Sequence, residues 1–512
     1  MKGRKFKRLN HRKKSTKKKD LDADQLKKSA LQYYRAGRLK KAIKYYQQAA
    51  HLIQNDADLY NNIGILHNFL GEKQKEKSSY EDALAIDPDH AQANYNLGNL
   101  CQIEGSLDEA ILYYERTLNV NPANTDCFNN LGNIYKEKKR YTDALYCYRR
   151  ALAINPNQVE TRINNGLIKF ELGKVDEAIS SYLVALEIEP RNAEGHIYLA
   201  DAVLVRDGFN EWESILDKGL RCSELNMTQK IDLSVSKAIC AWSKGNFDEV
   251  KKLLNEIEPV IDQIKEQGYL KNRKAYFNLI KALMITGETK CGPKDNSLPE
   301  IHLIGDSHCL PAANSRITYH DKEYVCRSHL IVGCKSWHLA QEKDNRYKYA
   351  LKKIIEKIPD NSLVVFVVGE IDCRVGEGIY PYCIKNSLSF NNVIDSTVRG
   401  YVSTAIKIAN PKKIISVFYG VAAPHIATLA DIDLKSREMY LEVVRKFNEY
   451  LFQAVNEEGC EFLDTYKATG GENLLSNQHF NIDECHMAPN FFQFCVEQFL
   501  RSPDKHYSLP SS

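Results

Sequence analysis

The chain of 512 residues carries 70 Lys/Arg, 66 Asp/Glu and 14 Cys, and it is long enough for two or three domains with sizeable cores. No apolar run approaches the ~18 residues of a membrane span, and a charged block stands where a secretory signal would need an apolar one. The cysteines form no CxxC pair and no regular spacing, which argues for free thiols in a reducing compartment and against a disulfide frame or a metal site. The expectation is an intracellular protein, cytoplasmic or nuclear, without metal or cofactor.

Charge is unevenly placed. Residues 1–19 contain eleven Lys/Arg and no acid, leaving 59 Lys/Arg against 66 Asp/Glu in the rest of the chain. Such a block repels itself, so residues 1–21 are expected to form a solvated basic tail. Nucleic acid, an anionic surface or the nuclear-import machinery would be its partners.

A repeat follows. The stretches "ADLYNNIGILHNFLG" (57–71), "AQANYNLGNLCQIEG" (91–105), "TDCFNNLGNIYKEKK" (125–139) and "VETRINNGLIKFELG" (159–173) recur with an offset of 34. Gly64, Gly98, Gly132 and Gly166 share one register, Tyr80, Tyr114, Tyr148 and Tyr182 a second, and Pro88, Pro122, Pro156 and Pro190 close the units. Small residues let the two helices of a pair approach, the aromatic fills the space between them, and proline ends the second helix. Weaker copies precede residue 57, begin near Ala193 and reappear at 238–254, and residues 262–287 read as a closing helical segment with polar faces. The pattern resembles the tetratricopeptide repeat and predicts an α-solenoid over 22–287.

One ladder inside the repeats points to a partner. Asn62, Asn96, Asn130 and Asn164 each stand two residues before the shared glycine. An amide both donates and accepts, so a row of them suits the backbone of an extended peptide. A similar ladder is a feature of the repeats of O-GlcNAc transferases, and that resemblance implies a peptide or protein in the concave groove. Asn61, Asn129 and Asn165 fall outside the register and receive no role.

After a linker at 288–299 the pattern changes to short apolar runs alternating with helical stretches. "IHLIG" (301–305), "SLVVFVVG" (362–369), "KIISVFYG" (413–420) and "CEFLD" (460–464) read as strands, while 347–358 and 437–459 read as amphipathic helices. Such alternation predicts an α/β domain over 300–505 with a parallel sheet covered on both faces, then a tail at 506–512. Ligands of such sheets gather at the carboxyl ends of the strands, where Gly305-Asp306-Ser307 and Gly369-Glu370-Ile371-Asp372 fall.

A serine at a sharp strand-to-helix turn suits a nucleophile, given a base and donors for the oxyanion. Asp483 and His486, three residues apart, suit a carboxylate that fixes an imidazole tautomer. With "GEIDCR" (369–374) between them, these blocks resemble the SGNH, or GDSL-type, hydrolases, whose domain is a three-layer, flavodoxin-like α/β fold. The resemblance covers about 299–503. It implies Ser307 as nucleophile, His486 as general base, Asp483 as its orienter and Gly333 as an oxyanion donor beside Ser307. Gly369 and Asp372 keep the third block, but Ile371 stands where the family has a donating Asn. Arg374, then His308, are the expected substitutes at the oxyanion or substrate. The expected function is that of a serine esterase or acyltransferase, with a glycan O-acyl ester as the substrate class the resemblance suggests. The competing expectation is a scaffold whose α/β domain has lost turnover.

Overall fold

The computed structural model describes residues 22–53, 55–262, 269–286, 298–319, 322–374, 378–430, 432–470, 475–476, 481 and 486–500. The basic tail, most of the 288–299 linker, Asp483 and the 506–512 tail lie outside the described residues. Two compact units form, one ending at Gln158 and the other beginning at Val159.

The first unit is four helix pairs: α1 (Ala23–Arg35) with α2 (Leu39–Leu52), α3 (Ala57–Phe69) with α4 (Lys73–Ile86), α5 (Ala91–Ile103) with α6 (Leu107–Val120), and α7 (Thr125–Glu137) with α8 (Tyr141–Ile154). A polar residue caps the first helix of every pair: Asp22, Asp56, His90 and Asn124 each accept from a backbone N–H three residues on. The shared glycines lie flat against the shared tyrosines. A Cβ on Gly98 would stand 2.8 Å from the Tyr114 ring and one on Gly132 2.5 Å from the Tyr148 ring. Both rings are fully buried, which is why glycine holds this position in the last three pairs, while the first pair has Ala30 there.

The second unit continues the helix pairs and then changes character. Its helices α9 (Val159–Glu171), α10 (Val175–Ile188), α11 (Ala193–Asp207), α12 (Phe209–Leu220), α13 (Met227–Ser243), α14 (Phe247–Ile261) and α15 (Tyr269–Thr286) precede the strands. Strands β1 (Glu300–Gly305), β2 (Arg316–Tyr319), β3 (Lys322–Leu330), β4 (Leu363–Val367), β5 (Ile415–Tyr419) and β6 (Glu461–Leu463) form one sheet in the order β2-β3-β1-β4-β5-β6. Only β2, at the edge, is antiparallel. Helices α16 (Ser336–Ala340), α17 (Arg346–Lys357), α18 (Glu370–Cys373), α19 (Ile379–Asn386), α20 (Phe390–Ala409), α21 (Leu434–Glu457), α22 (Thr465–Thr469) and α23 (Phe491–Leu500) complete the domain.

Alternation along the strands divides the core. Ile304, Phe366, Phe418 and Phe462 face α17, α20 and α21. Leu303, Val365, Val417 and Leu463 turn to the other side, where Phe492 and Val496 of α23 join them. That second cluster runs without a break into the helical repeats through Leu310, Ala312 and Trp242. The indole N–H of Trp242 donates to the Leu310 carbonyl at 3.1 Å, and Asn314 donates to the Ser243 carbonyl at 3.0 Å. The expectation of a closing helix with polar faces is corrected here. In α15, Tyr276, Phe277, Leu279, Ile280 and Leu283 are buried in this cluster, because an apolar sheet flank continues the surface that a solvent-facing cap would otherwise end.

Every described cysteine is an unbridged thiol. No described helix is long and apolar enough to cross a membrane.

Candidate functional site

The chain leaves β1 at the point where the sheet's connections diverge, β1 leading toward β3 on one side while β4 lies on the other. Gly305 is required there: a Cβ would overlap the carbonyl oxygen of Val367 and stand 2.7 Å from its carbon. Asp306 then caps a single 3-10 turn over Ser307–Cys309, accepting from the His308 N–H at 3.0 Å. This turn sets Ser307 at the strand tip.

Ser307 Oγ lies 2.9 Å from Nε2 of His486, across 179 residues of sequence, and both side chains are buried. The His308 ring stacks on His486 with centroids 4.7 Å apart, and its Nδ1 lies 2.8 Å from Asp306 Oδ1. Burial pushes the Asp306 carboxyl up, but the neighbouring His308 outweighs it and holds the group below the usual carboxylate range. Asp483, the expected orienter, lies outside the described residues.

The remaining expected residues separate by what they touch. Gly333, at φ +67°, lies in the loop after β3, and among the described residues neither its N–H nor that of Ser307 has an acceptor. The Asp372 carboxylate accepts from the N–H groups of Ser336 at 2.6 Å and Trp337 at 3.1 Å, so it holds the loop that follows Gly333. Burial pushes this carboxyl up to about 6. Gly369 serves packing, since a Cβ there would meet the Phe447 ring at 2.8 Å. Arg374 is bound to Glu370 through Nε at 3.0 and 2.9 Å and through Nη2 at 2.8 Å. Ile371 presents only hydrocarbon.

Ser307 and His486 open onto a cavity of about 1020 Å³ whose walls come from both halves of the second unit. The α/β domain gives Gly333, Ile371, Arg374 and Arg346; the repeats give Tyr198, Asp201, Asp232, Arg273 and Tyr276. Arg273 ion-pairs with Asp232 and, at 3.4 Å, with Asp201. Burial raises the Asp201 carboxyl against the pull of that guanidinium. Arg346 pairs with Glu171 at 3.2 Å and lies 5.1 Å over the Phe170 ring, fastening α17 to α9. Gly333 and Arg374 were expected from sequence; Arg346, Tyr198, Asp201, Asp232, Arg273 and Tyr276 were not. One signal was present: Tyr198 and Asp232 stand 34 and 68 residues after Asn164, in the register of the asparagine ladder.

In the first unit the ladder amides bridge neighbouring repeats. Asn96 donates to Asn61 at 2.9 Å and accepts from Gln92 at 3.1 Å, while Asn130 donates to Asn99 at 3.0 Å and to Tyr95 at 3.3 Å. Asn61, outside the register, is thus the acceptor that orients Asn96. Asn62 is half-buried and Asn164, in the second unit, is buried. Among the described residues no group of three or more His, Cys, Asp or Glu is placed to hold a metal ion.

Residues 57–90, 79–111, 125–158 and 166–204 match descriptions of the tetratricopeptide repeat family. The N-terminal repeats are tetratricopeptide repeats. Among solved structures, the chain is similar to YrrB, described as a TPR protein with an unusual peptide-binding site, at 25% identity over 35% of this chain and 92% of that one, with a TM-score of 0.32. It is also similar to a tetratricopeptide repeat protein from Parabacteroides merdae (17% identity, 50% and 98% covered, TM-score 0.39) and to pilF of Pseudomonas aeruginosa (19%, 43% and 96%, 0.37). Among curated proteins none is significantly similar to the chain.

Proposed function

We propose that the chain is a tetratricopeptide-repeat interaction protein whose α/β domain performs serine-dependent acyl transfer on an ester. The repeat matches support the first half. A single observation carries the second: the 2.9 Å approach of Ser307 Oγ to His486 Nε2 at the wall of a large cavity. A serine hydroxyl is a weak nucleophile until a base within hydrogen-bond reach takes its proton. In this reading Ser307 attacks the ester carbonyl, His486 accepts the proton and returns it to the leaving alcohol, and the N–H groups of Ser307 and Gly333 receive the oxyanion. Water or a second alcohol then accepts the acyl group.

The order Gly305-Asp306-Ser307, Gly333, Gly369 and Asp372, His486 supports kinship with SGNH hydrolases, and through it a glycan O-acyl ester as substrate. A fluorophosphonate probe is expected to label the wild type and to leave Ser307→Ala and His486→Ala unlabelled. An unlabelled wild type, under conditions where a known esterase reacts, would overturn the enzymatic half.

A second reading has its own support. Ile371 supplies no donor, and the family matches concern the repeats alone, which favours a scaffold without turnover. In the first unit the face that carries Asn62, Asn96 and Asn130 is then the working surface for a peptide or protein, and Asn164 would play the same part in the second unit. Replacing Asn96 and Asn130 by Ala is expected to abolish capture of a bound partner; undiminished capture would remove the ladder from that role.

A further inference from the structure

Negative charge on the carbonyl oxygen of an acyl-transfer intermediate is stabilised by donors already aimed at it. In the proposed reading two come from the N–H groups of Ser307 and Gly333, neither of which has an acceptor among the described residues, and Ile371 adds none. The polar side chains nearest the strand tips have other partners: Arg374 is bound to Glu370, His308 contacts Asp306, and Asp372 caps α16. Tyr276 of α15 differs. Its side chain is only 7% exposed, its ring sits in the apolar cluster shared with Leu303 and Leu310, and it lines the same cavity as Ser307 and His486. Among the described residues its hydroxyl has no hydrogen-bond partner. Lining that cavity, the hydroxyl is free to donate to a group bound there. Burial, reinforced by the Asp306 carboxylate, pushes its titration upward, so it remains a donor across the working pH range.

We propose that Tyr276 is a catalytic residue, a hydrogen-bond donor to the oxyanion contributed by the helical repeats to a site on the α/β domain. The proposal rests on Ser307 acting as nucleophile. As the Ser307 Oγ–carbon bond forms, the hydroxyl proton passes to His486 Nε2 and the carbonyl π pair moves onto oxygen, which the Tyr276 O–H meets without giving up its proton. When the tetrahedral species collapses, the C–O bond to the alcohol breaks and the alcohol leaves with the proton from His486. A consequence follows for the architecture: removing α15 takes away part of the catalytic site, and not merely a neighbouring module.

The test uses the full chain, p-nitrophenyl acetate hydrolysis and the fluorophosphonate labelling rate. Tyr276→Phe keeps the ring and removes the donor. It is expected to lower kcat by about 10²-fold, the usual loss for one oxyanion donor, with KM within about twofold of wild type. The Tm and the pH midpoint assigned to His486 should not move, which separates a donor from a merely structural ring. Ile371→Asn in the Y276F background returns an N–H to the other wall and is expected to recover activity at least about tenfold. A Y276F enzyme with kcat within about threefold of wild type would overturn the assignment while Ser307-dependent labelling stands. A wild type that neither hydrolyses the ester nor takes the probe would overturn both this proposal and the reading beneath it.

Discussion

Substituting Gly305 by Ala tests how the sheet positions Ser307. The new Cβ would overlap the Val367 carbonyl oxygen and stand 2.7 Å from its carbon, where carbon atoms at rest keep about 3.5–4.0 Å. The obstacle is backbone of the adjacent strand, so no rotamer relieves it. The carboxyl ends of β1 and β4 must part by about 1 Å to restore ordinary contact. The Asp306 N–H bond to the Val367 carbonyl, already 3.4 Å, then breaks. Each buried backbone group left unpaired costs about 1–3 kcal/mol, and reduced freedom of the unfolded chain returns only about 0.4–1 kcal/mol. The net loss is at least about 1 kcal/mol, which is about fivefold faster opening. Hydrogen exchange of peptides covering 300–307 and 363–370 reads this directly. Gly459→Ala serves as the control, because Gly459 has φ +67° and no atom within 4 Å of a Cβ, so its cost is local backbone strain. Exchange at β1 and β4 within about threefold of wild type in G305A would refute the close approach on which the site's placement depends.

Gly132→Ala should destabilise the first unit by about 1–3 kcal/mol in urea unfolding despite alanine's better helix propensity. The Tyr148 ring cannot swing aside without losing its 2.7 Å bond to Asn133. Trp242→Ala should cost about 3–5 kcal/mol in urea unfolding and slow fluorophosphonate labelling of Ser307, since the indole supports the turn after that serine through Leu310. The His302–His329 pair, Nδ1 to Nε2 at 3.0 Å, should make the second unit acid-sensitive. Burial, then the His302 charge, lowers His329 to about 3, and burial lowers His302 as well, so below about pH 6.5 the unfolded chain binds more protons than the folded one. Stability is therefore full above that pH and falls as pH drops toward 3, by at most about 1.4 kcal/mol per pH unit for one ring, and by less in proportion to its solvent exposure. His329→Gln should flatten the profile of urea midpoint against pH between 6.5 and 4; an unchanged slope would assign the acid sensitivity elsewhere.

The sequence by itself determined the local order of this protein. A glycine, a tyrosine and a proline repeating every 34 residues dictate the helix pairs, because contacts inside a pair join residues only 16 apart, as Gly132 and Tyr148 are. Apolar runs bounded by turns likewise gave β1, β4, β5 and β6 their places, and the glycine before Asp306 marked where a strand had to stop. The β2–β3 pair was not legible, for β2 is four residues long and β3 buries Tyr324, Val325 and Cys326 in succession, which breaks the alternation that marks a half-buried strand. Tertiary structure decided the rest. It alone brought His486 to Ser307 across 179 residues, turned Asp372 toward a helix N-terminus, and laid α15 against the strand tips so that Tyr276 shares their cavity. The physical reason is that long-range packing depends on which apolar faces remain uncovered once the local elements have formed, and no short window of residues records that choice.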